Sequence, residues 1–401
     1  MKLFVKYYID WIPTLLFLMS FVLWRGNLYQ VSLYVLIPIL VVISFLKNHK
    51  TIFSSIYFRP YLVLLLWALL SSLFNNYTEK SMRQMIPMFA SFLLSLSVYS
   101  IALKKNNPII LYLAYLAFFI VLMTQTFQQS GFVQDFDYID ESERSSTMKM
   151  NANDYAYYSF FLIIAVRMML EWLRIKKTII LLSLVYLALT VVVFYTALFT
   201  ASRQVLYIEL PLLAYLLYLD IFKSDKKGWS KIGLLMLIIG IMMFIIPVFY
   251  SYFDNSYLAV RSEVGFQEDN RSDLMVDAME IALTHPLFGV GLGHPLGTIV
   301  DGVPLSFSHC TYTHIASRCG LLTLILFLYI GVKFILTQYK YYRLYKDTTY
   351  LLFYIFGVFY FIGNFTYNYI DGPFMMAIIF ILIGDSERYH INNTRNGNIN
   401  R

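Results

Sequence analysis

Charge is scarce in this sequence. Asp, Glu, Lys and Arg make up 14% of its 401 residues, against about 25% in a typical soluble chain. With 59% hydrophobic residues and a mean hydropathy of +0.62, that deficit excludes an ordinary water-soluble globule and points to a bilayer. Cysteine is scarcer still. Cys310 and Cys319 are too few for a disulfide framework and form no CxxC pair, so both read as packing residues. There is no HExxH metal pattern and no GK[ST] phosphate loop. The first apolar run lacks a small-residue cleavage site and is followed by Trp24 and Arg25, so it reads as a retained span rather than a cleaved leader. No convincing internal repeat occurs.

What the sequence does have is long apolar runs. Segments able to cross about 30 Å of hydrocarbon recur near 7–24, 28–46, 60–75, 84–103, 108–127, 154–173, 178–200, 204–222, 232–253, 311–336, 349–367 and 372–385. The expectation is an all-α membrane protein: one polytopic bundle over 1–401 with about twelve transmembrane helices. With the N-terminus inside, cytoplasmic loops and the tail at 386–401 receive 21 of the 31 basic residues. Nine fall outside: Arg25, Lys80, Arg83, Arg144, Lys149, Arg203, Arg261, Arg271 and Arg318. That bias satisfies the positive-inside rule and puts both termini in the cytoplasm. The net charge of +7 is then read as inner loops facing anionic lipid, not as a nucleic-acid surface.

Loop length is asymmetric in this frame. Inner connections are short and basic. Two outer loops are long: 128–153, with Asp135, Asp137, Asp140, Glu141 and Glu143, and 254–310. Long loops on one face are where function is usually placed. Within the second, Leu274, Ala278, Ile281 and Ala282 recur at helical spacing, while Asp273, Asp277 and Glu280 line another face. The spacing predicts an amphipathic helix over 271–284, lying on the bundle at the membrane surface, capped by Asn270 or Ser272 and stopped by Pro286. Arg271 opens it, so a guanidinium and a helix N-terminus coincide, a pairing suited to phosphate. Gly289, Gly291 and Gly293 follow without a preceding strand, and read as a tight passage of backbone rather than a nucleotide loop.

Histidines stand where the loop re-enters the bundle, in "FSHCTYTHIASRCG". His309 and His314 are five residues apart, on different helix faces, which disfavours a shared metal site. Two roles stay open: a hydrogen-bonded structural residue, or a base that takes a proton from a hydroxyl. His285 and His294 have no pattern behind them. Arg203 sits in a very tight connection at the outer rim, either snorkelling to the interface or facing a watery cavity. Arg203, Arg261 and Arg271 could neutralise a diphosphate, because guanidinium binds phosphate oxygens in a bidentate fork.

These residues resemble a family. "NANDYA" at 151–156, "TASR" at 200–203, "RSDLMVDAMEIALTHPLFGVGLG" at 271–293 and "HCTYTHIASRCGLL" at 309–322 look like blocks of the O-antigen polymerase and ligase superfamily of bacterial envelope proteins, called Wzy and WaaL. Cys310 stands where that family commonly has asparagine, and Arg318 where it commonly has an acid. The resemblance implies a metal-independent glycosyltransferase of the bacterial cytoplasmic membrane that needs no cofactor. Its donor would be an oligosaccharide on undecaprenyl diphosphate, and its acceptor a second glycan. It implies Arg203 and Arg271 against the departing diphosphate, His309 as base, and Asn153, Arg261, His314 and Arg318 as substrate-binding residues. Membrane lipids, a flippase and a chain-length regulator would be its partners, with no nucleic acid among them. The many aromatics, 34 Tyr among them, could help stack sugars.

Two other classes remain in view. "DFD" at 135–137 could hold a divalent cation in a metal-dependent lipid-sugar transferase. Twelve spans would also suit a transporter or lipid-linked-sugar flippase. Against the latter, in-span charges are few: Arg167, Glu171, Glu209, Asp220 and Lys333.

Overall fold

Where no water reaches the backbone, each N–H and C=O must find its partner inside the same segment, and long apolar runs therefore become helices. The computed structural model describes residues 31–43, 55–75, 79–103, 107–130, 152–173, 179–222, 228–254, 256, 258–259, 271–295, 299–300, 303–304, 308–366 and 373–395. The run expected at 7–24, most of the acidic loop at 128–153 with its DFD, and Arg261 lie outside the described residues.

The helices, in chain order, are α1 (31–43, with a π-helical stretch Ser32–Leu36), α2 (Phe58–Phe74), α3 (Glu79–Ala102), α4 (Asn107–Ser130), α5 (Ala152–Trp172) and α6 (Ile179–Thr200). A π-helical stretch Val205–Glu209 then runs into α7 (Leu210–Phe222), followed by α8 (Gly228–Phe253) and α9 (Arg271–Thr284). The last are α10 (Thr311–Cys319), α11 (Leu321–Tyr345), α12 (Thr348–Gly363) and α13 (Pro373–Arg395). The only strand pairing among the described residues is antiparallel, Ile299–Val300 with Val303–Pro304.

Among the described residues, four segments are long and apolar enough to cross a membrane: Glu79–Ala102, Leu181–Thr200, Val205–Phe222 and Leu321–Tyr345. Tyr34–Ile43, Phe58–Phe74, Pro108–Thr124 and Thr348–Gly363 are shorter apolar helices. Their outward faces are apolar too. Leu62, Val63, Leu66, Leu70 and Leu73 stand exposed along α2, and Ile325, Leu328, Val332 and Leu336 along α11. Stripes of this size are rare on soluble monomers and mark a surface made for lipid. Apart from the short strand pairing, the regular structure among the described residues is helical, and the chain is an integral membrane protein.

The chain divides into two compact units, Met1–Leu111 with Phe266–Arg401, and Tyr112–Gly265. In the first, α13 packs along α3, and α2, α11 and α10 pack on one another. Gly384 lets α13 press close to α3, since a side chain there would meet the Tyr99 carbonyl at 2.8 Å. Between α11 and α12 the fit is reciprocal: Gly331 receives the ring of Phe361, and Gly357 the ring of Phe334. Small residues opposite large ones are how helices approach closely in lipid. The α11–α12 turn is made by Lys346 in a left-handed conformation, φ 55°, and by Asp347, whose carboxylate accepts the Thr349 N–H at 2.8 Å and caps α12. The expected tail also begins as helix: α13 continues through Arg395.

In the second unit, the buried Arg167 is paired. Arg167 of α5 meets Glu171 at 3.1 Å and Asp220 of α7 at 2.9 Å, and the Tyr186 hydroxyl donates to the other Asp220 oxygen at 2.6 Å. All are buried or nearly so. Removing one partner of a buried pair strands the other charge, at a typical cost of about 3–5 kcal/mol. Asp220→Ala is therefore expected to lower thermal stability in detergent far more than Tyr186→Phe, which leaves the ion pairs intact. Equal melting temperatures for the two variants would refute this. Nearby, the buried Ser159 hydroxyl donates to the Glu209 carboxylate at 2.8 Å, tying α5 to the π-helical stretch.

Candidate functional site

The helix expected over 271–284 forms at Arg271–Thr284. Leu274, Ala278 and Ala282 are buried with Ile281 partly covered, and the helix packs against α10. Asp273 and Glu280 are exposed and Asp277 half-buried. A second apolar row, Val276, Met279, Leu283 and Leu287, is exposed; the hydrophobic spacing used to place the helix did not distinguish it from the packing face.

After Thr284 the chain turns through Pro286–Gly289 and meets the end of α10 backbone to backbone. Val290 N–H donates to Ser317 O at 3.0 Å, Gly291 N–H to Arg318 O at 2.9 Å, and Leu321 N–H to Pro286 O at 2.7 Å. Gly289 and Gly320 make this approach possible. Both have left-handed φ, 62° and 88°. A Cβ on Gly289 would lie 2.6 Å from the Arg318 carbonyl carbon, and one on Gly320 would collide with the Leu287 carbonyl. The run expected as one span at 311–336 is thus broken at Gly320 into α10, too short to cross a membrane, and α11.

Side chains from α2 and α3 hold the same backbone. Trp67 Nε1 donates to Leu287 O at 2.9 Å, and its ring stacks on Phe288 with centroids 4.9 Å apart. Ser71 Oγ donates to Phe288 O and, at 2.8 Å, to Arg318 O. Asn75 Nδ2 donates to Gly289 O at 3.2 Å and Ser81 Oγ to Leu292 O at 2.6 Å. Gly293 N–H donates to Gln84 Oε1 at 2.9 Å. Motif reading passed over Ser71, Asn75, Ser81 and Gln84; the signal available was a run of polar residues, "SSLFNN", ending an otherwise apolar helix.

The start of α10 is anchored separately. Thr311 N–H donates to the Asn364 carbonyl at 2.9 Å. Asn364 is fully buried at the end of α12, and its amide donates to Tyr360 O at 2.9 Å. Ser308 and Thr313 hydroxyls share a hydrogen bond at 2.8 Å. Between these anchors His309 is half-buried, while His314 and Arg318 are buried, with Arg318 the largest fully buried side chain among the described residues. His314 lies within electrostatic reach of both Arg318 and His309. Burial first, then the charges of Arg318 and His309, pushes the His314 imidazole down from its ordinary 6.5 to about 3.

His314 is therefore neutral in the folded protein at any pH above about 3. The unfolded chain protonates there below about 6.5 and then binds more protons than the folded chain, so stability falls as pH drops from 6.5 toward 3. His314→Leu is expected to flatten that part of the curve of melting temperature against pH; an unaltered curve would count against the assignment.

The expected site residues are distributed as follows. His309, His314 and Arg318 come together at α10. Arg271 opens α9, with its side chain outside the described residues, and α9 and α10 are tied at their C-terminal ends, so Arg271 and His309 both lie at ends away from the tie. Arg203 belongs to the other unit. It follows Ala201, itself at φ 46°, in the turn between α6 and the π-helical stretch, and is 8% exposed. Asn153 lies in the first turn of α5, with its side chain outside the described residues. His285 and His294 are exposed and bonded locally, to Thr284 and to the Pro295 carbonyl. Among the described residues, no three His, Cys, Asp or Glu side chains are grouped as metal ligands.

Comparison with known proteins gives one family. The family model described as O-antigen ligase (Wzy_C) matches residues 188–328. The matched segment contains Arg203, Arg261, Arg271, His309, His314 and Arg318, and begins after Asn153. No curated protein matches the chain.

Proposed function

We propose, on the premise that this chain is of the O-antigen polymerase/ligase superfamily, that it polymerises lipid-linked polysaccharide repeat units at the outer face of the cytoplasmic membrane. The donor is a glycan on undecaprenyl diphosphate and the acceptor a hydroxyl of another repeat unit; the product is an O-antigen, capsule or exopolysaccharide. About twelve spans, with both termini inside and the loop 254–310 outside, would put the α9–α10 assembly on the side where that chemistry occurs.

The observation that carries this reading is the grouping of His309, His314 and Arg318 at α10, joined by the glycine-lined backbone tie to the helix that Arg271 opens. In the reaction, the acceptor oxygen attacks the anomeric carbon and the bond from that carbon to the diphosphate oxygen breaks. His309 takes the acceptor's proton. Negative charge growing on the diphosphate is met by Arg203 and Arg271, helped by Arg261. Asn153, His314 and Arg318 shape the sugar and phosphate contacts, His314 as a neutral hydrogen-bonding group. No step needs a metal or cofactor. A flippase would supply the donor and a chain-length regulator would act on the product.

The test is incubation of the purified protein with lipid-linked repeat units. A ladder of products on a gel is expected. A single transfer to a separate core acceptor would make the protein a ligase. Activity lost with chelator, and with Asp137→Ala but not His309→Ala, would replace it with the metal-dependent alternative.

A further inference from the structure

The second unit holds an acid that the proposed chemistry does not use. Glu209 ends the π-helical stretch Val205–Glu209, inside a segment long and apolar enough to span a membrane, and it is fully buried. Among the described residues its carboxyl meets no basic side chain and one polar group. That group is the Ser159 hydroxyl of α5, which lies 2.8 Å from both Oε1 and Oε2. α5, α6 and α7 pack against the stretch. Their charged residues are Asp154, Arg167, Glu171 and Asp220. The last three pair with one another, at least eight residues from Ser159 or Glu209 along their helices, about 12 Å. Asp154 is an acid and supplies no positive charge. The other titratable groups on these helices are tyrosines, neutral below about pH 10.

Counting hydrogens decides the state of this acid. Ser159 has one hydroxyl proton and three oxygens within reach, the two of Glu209 and the Ala156 carbonyl at 2.7 Å. Were Glu209 ionised, that one proton would be claimed by all three. A buried negative charge would then be left with a single shared donor, which is costly in an apolar interior. A proton on Glu209 reverses the bond. The carboxyl O–H donates to Ser159 Oγ, and Ser159 donates to Ala156 O, the back-bond that a helical serine commonly makes. Both protons then have an acceptor, and the pair carries no charge. An oxygen–oxygen distance of 2.8 Å holds a hydrogen and nothing larger, so no metal cation fits between the two.

We propose that Glu209 is a proton-binding site within the membrane, a protonated carboxylic acid whose bond to Ser159 fixes the π-helical stretch to α5. That stretch begins just after the turn that carries Arg203, and Val205 N–H donates back to Ser202 O at 3.2 Å around it. π-helical geometry is uncommon and needs outside support; the Glu209–Ser159 bond supplies it. Glu209 is thus a positioning residue that acts on Arg203 through six residues of backbone. The link to Arg203 rests on the function proposed above, whereas the proton does not.

The test is infrared difference spectroscopy of the full-length protein in lipid nanodiscs at neutral pH, parent minus Glu209→Gln. Loss of a protonated-carboxyl C=O band is expected, and Ser159→Ala is expected to shift that band while leaving it present. Loss of carboxylate bands alone would overturn the assignment, and a band unmoved in Ser159→Ala would overturn the partner. Glu209→Gln keeps an N–H that can donate to Ser159 Oγ, whereas Glu209→Ala has none. With lipid-linked repeat units, folded Glu209→Ala is expected to lose turnover about tenfold, the effect of one buried hydrogen bond on the fraction of molecules with Arg203 in place. Glu209→Gln is expected to keep the parental rate, and equal rates for the two variants would remove the link to Arg203. The two proposals fail separately. Glycan transfer without the protonated band removes the proton site and leaves the function. The band without transfer from any donor removes the function and leaves a protonated acid in the membrane.

Discussion

Gly320→Ala is expected to destabilise the first unit by roughly 3 kcal/mol, one of the largest effects available from a single methyl group. Gly320 has φ 88° and ψ 169°, a region essentially closed to residues with a side chain, where occupancy costs about 1–3 kcal/mol. Steric conflict adds to this. The new methyl would collide with the Leu287 carbonyl and approach the Pro286 carbonyl oxygen to 2.9 Å, and that oxygen accepts the Leu321 N–H. Relieving the clash breaks the bond that joins the end of α9 to the start of α11. Gly240→Ala is the control: its Cβ would meet nothing within 4 Å, and in a helix interior the change is mildly stabilising, by up to about 1 kcal/mol. The measurement is thermal unfolding of both variants in the same detergent. Should Gly320→Ala melt with the parent, the backbone tie is not what holds this region.

The second large effect concerns catalysis. His309→Ala is expected to reduce turnover by about 10²–10⁴-fold, the usual worth of a general base, with donor KM little changed because the proton moves only in the reacting complex. The neighbouring imidazole makes the contrast sharp. His314 is buried and held neutral, so its replacement acts on the shape and acid tolerance of the region rather than on proton transfer. Both variants would be assayed on lipid-linked repeat units after confirming folded protein. A His309→Ala protein that extends chains at the parental rate has no base at this position, and the proposed mechanism falls with it.

Much of this was legible in the sequence for identifiable reasons. α9 was readable because a helix that packs on one side only shows its spacing, and Leu274, Ala278, Ile281 and Ala282 are the residues that pack. Gly289, Gly291 and Gly293 were readable as a close backbone passage because no other use of three alternating glycines fitted their surroundings; the left-handed φ values and the near collisions bear this out. The break at Gly320 was not readable. The span expected at 311–336 joined the polar stretch "TYTHIASRC" of α10 to the apolar run that begins at Leu321, and residue spacing does not give the φ angle that separates them. The polar clamp from α2 and α3 was missed because its members are hundreds of residues from the backbone they hold, and sequence spacing says nothing about such pairs. The short strand pairing was within reach: Asp301-Gly302 between Ile299-Val300 and Val303-Pro304 is a dipeptide that favours hairpins. At the site, the neighbouring of His314 and Arg318 follows from their i, i+4 spacing in α10, while the place of His309 ahead of the helix and the burial of Arg318 depend on everything packed around α10.

The Arg167 network also bears on how the protein is made. Glu171 lies four residues after Arg167 on the same helix, while Asp220 belongs to α7 and is synthesised only after α6 has followed. A bare guanidinium entering hydrocarbon is costly, and a carboxylate one turn away offsets that cost as soon as the nascent helix forms. Glu171 thus gives Arg167 a partner as soon as α5 forms, before its long-range partner exists. Asp220, arriving later, converts an escorted charge into a rivet between two helices.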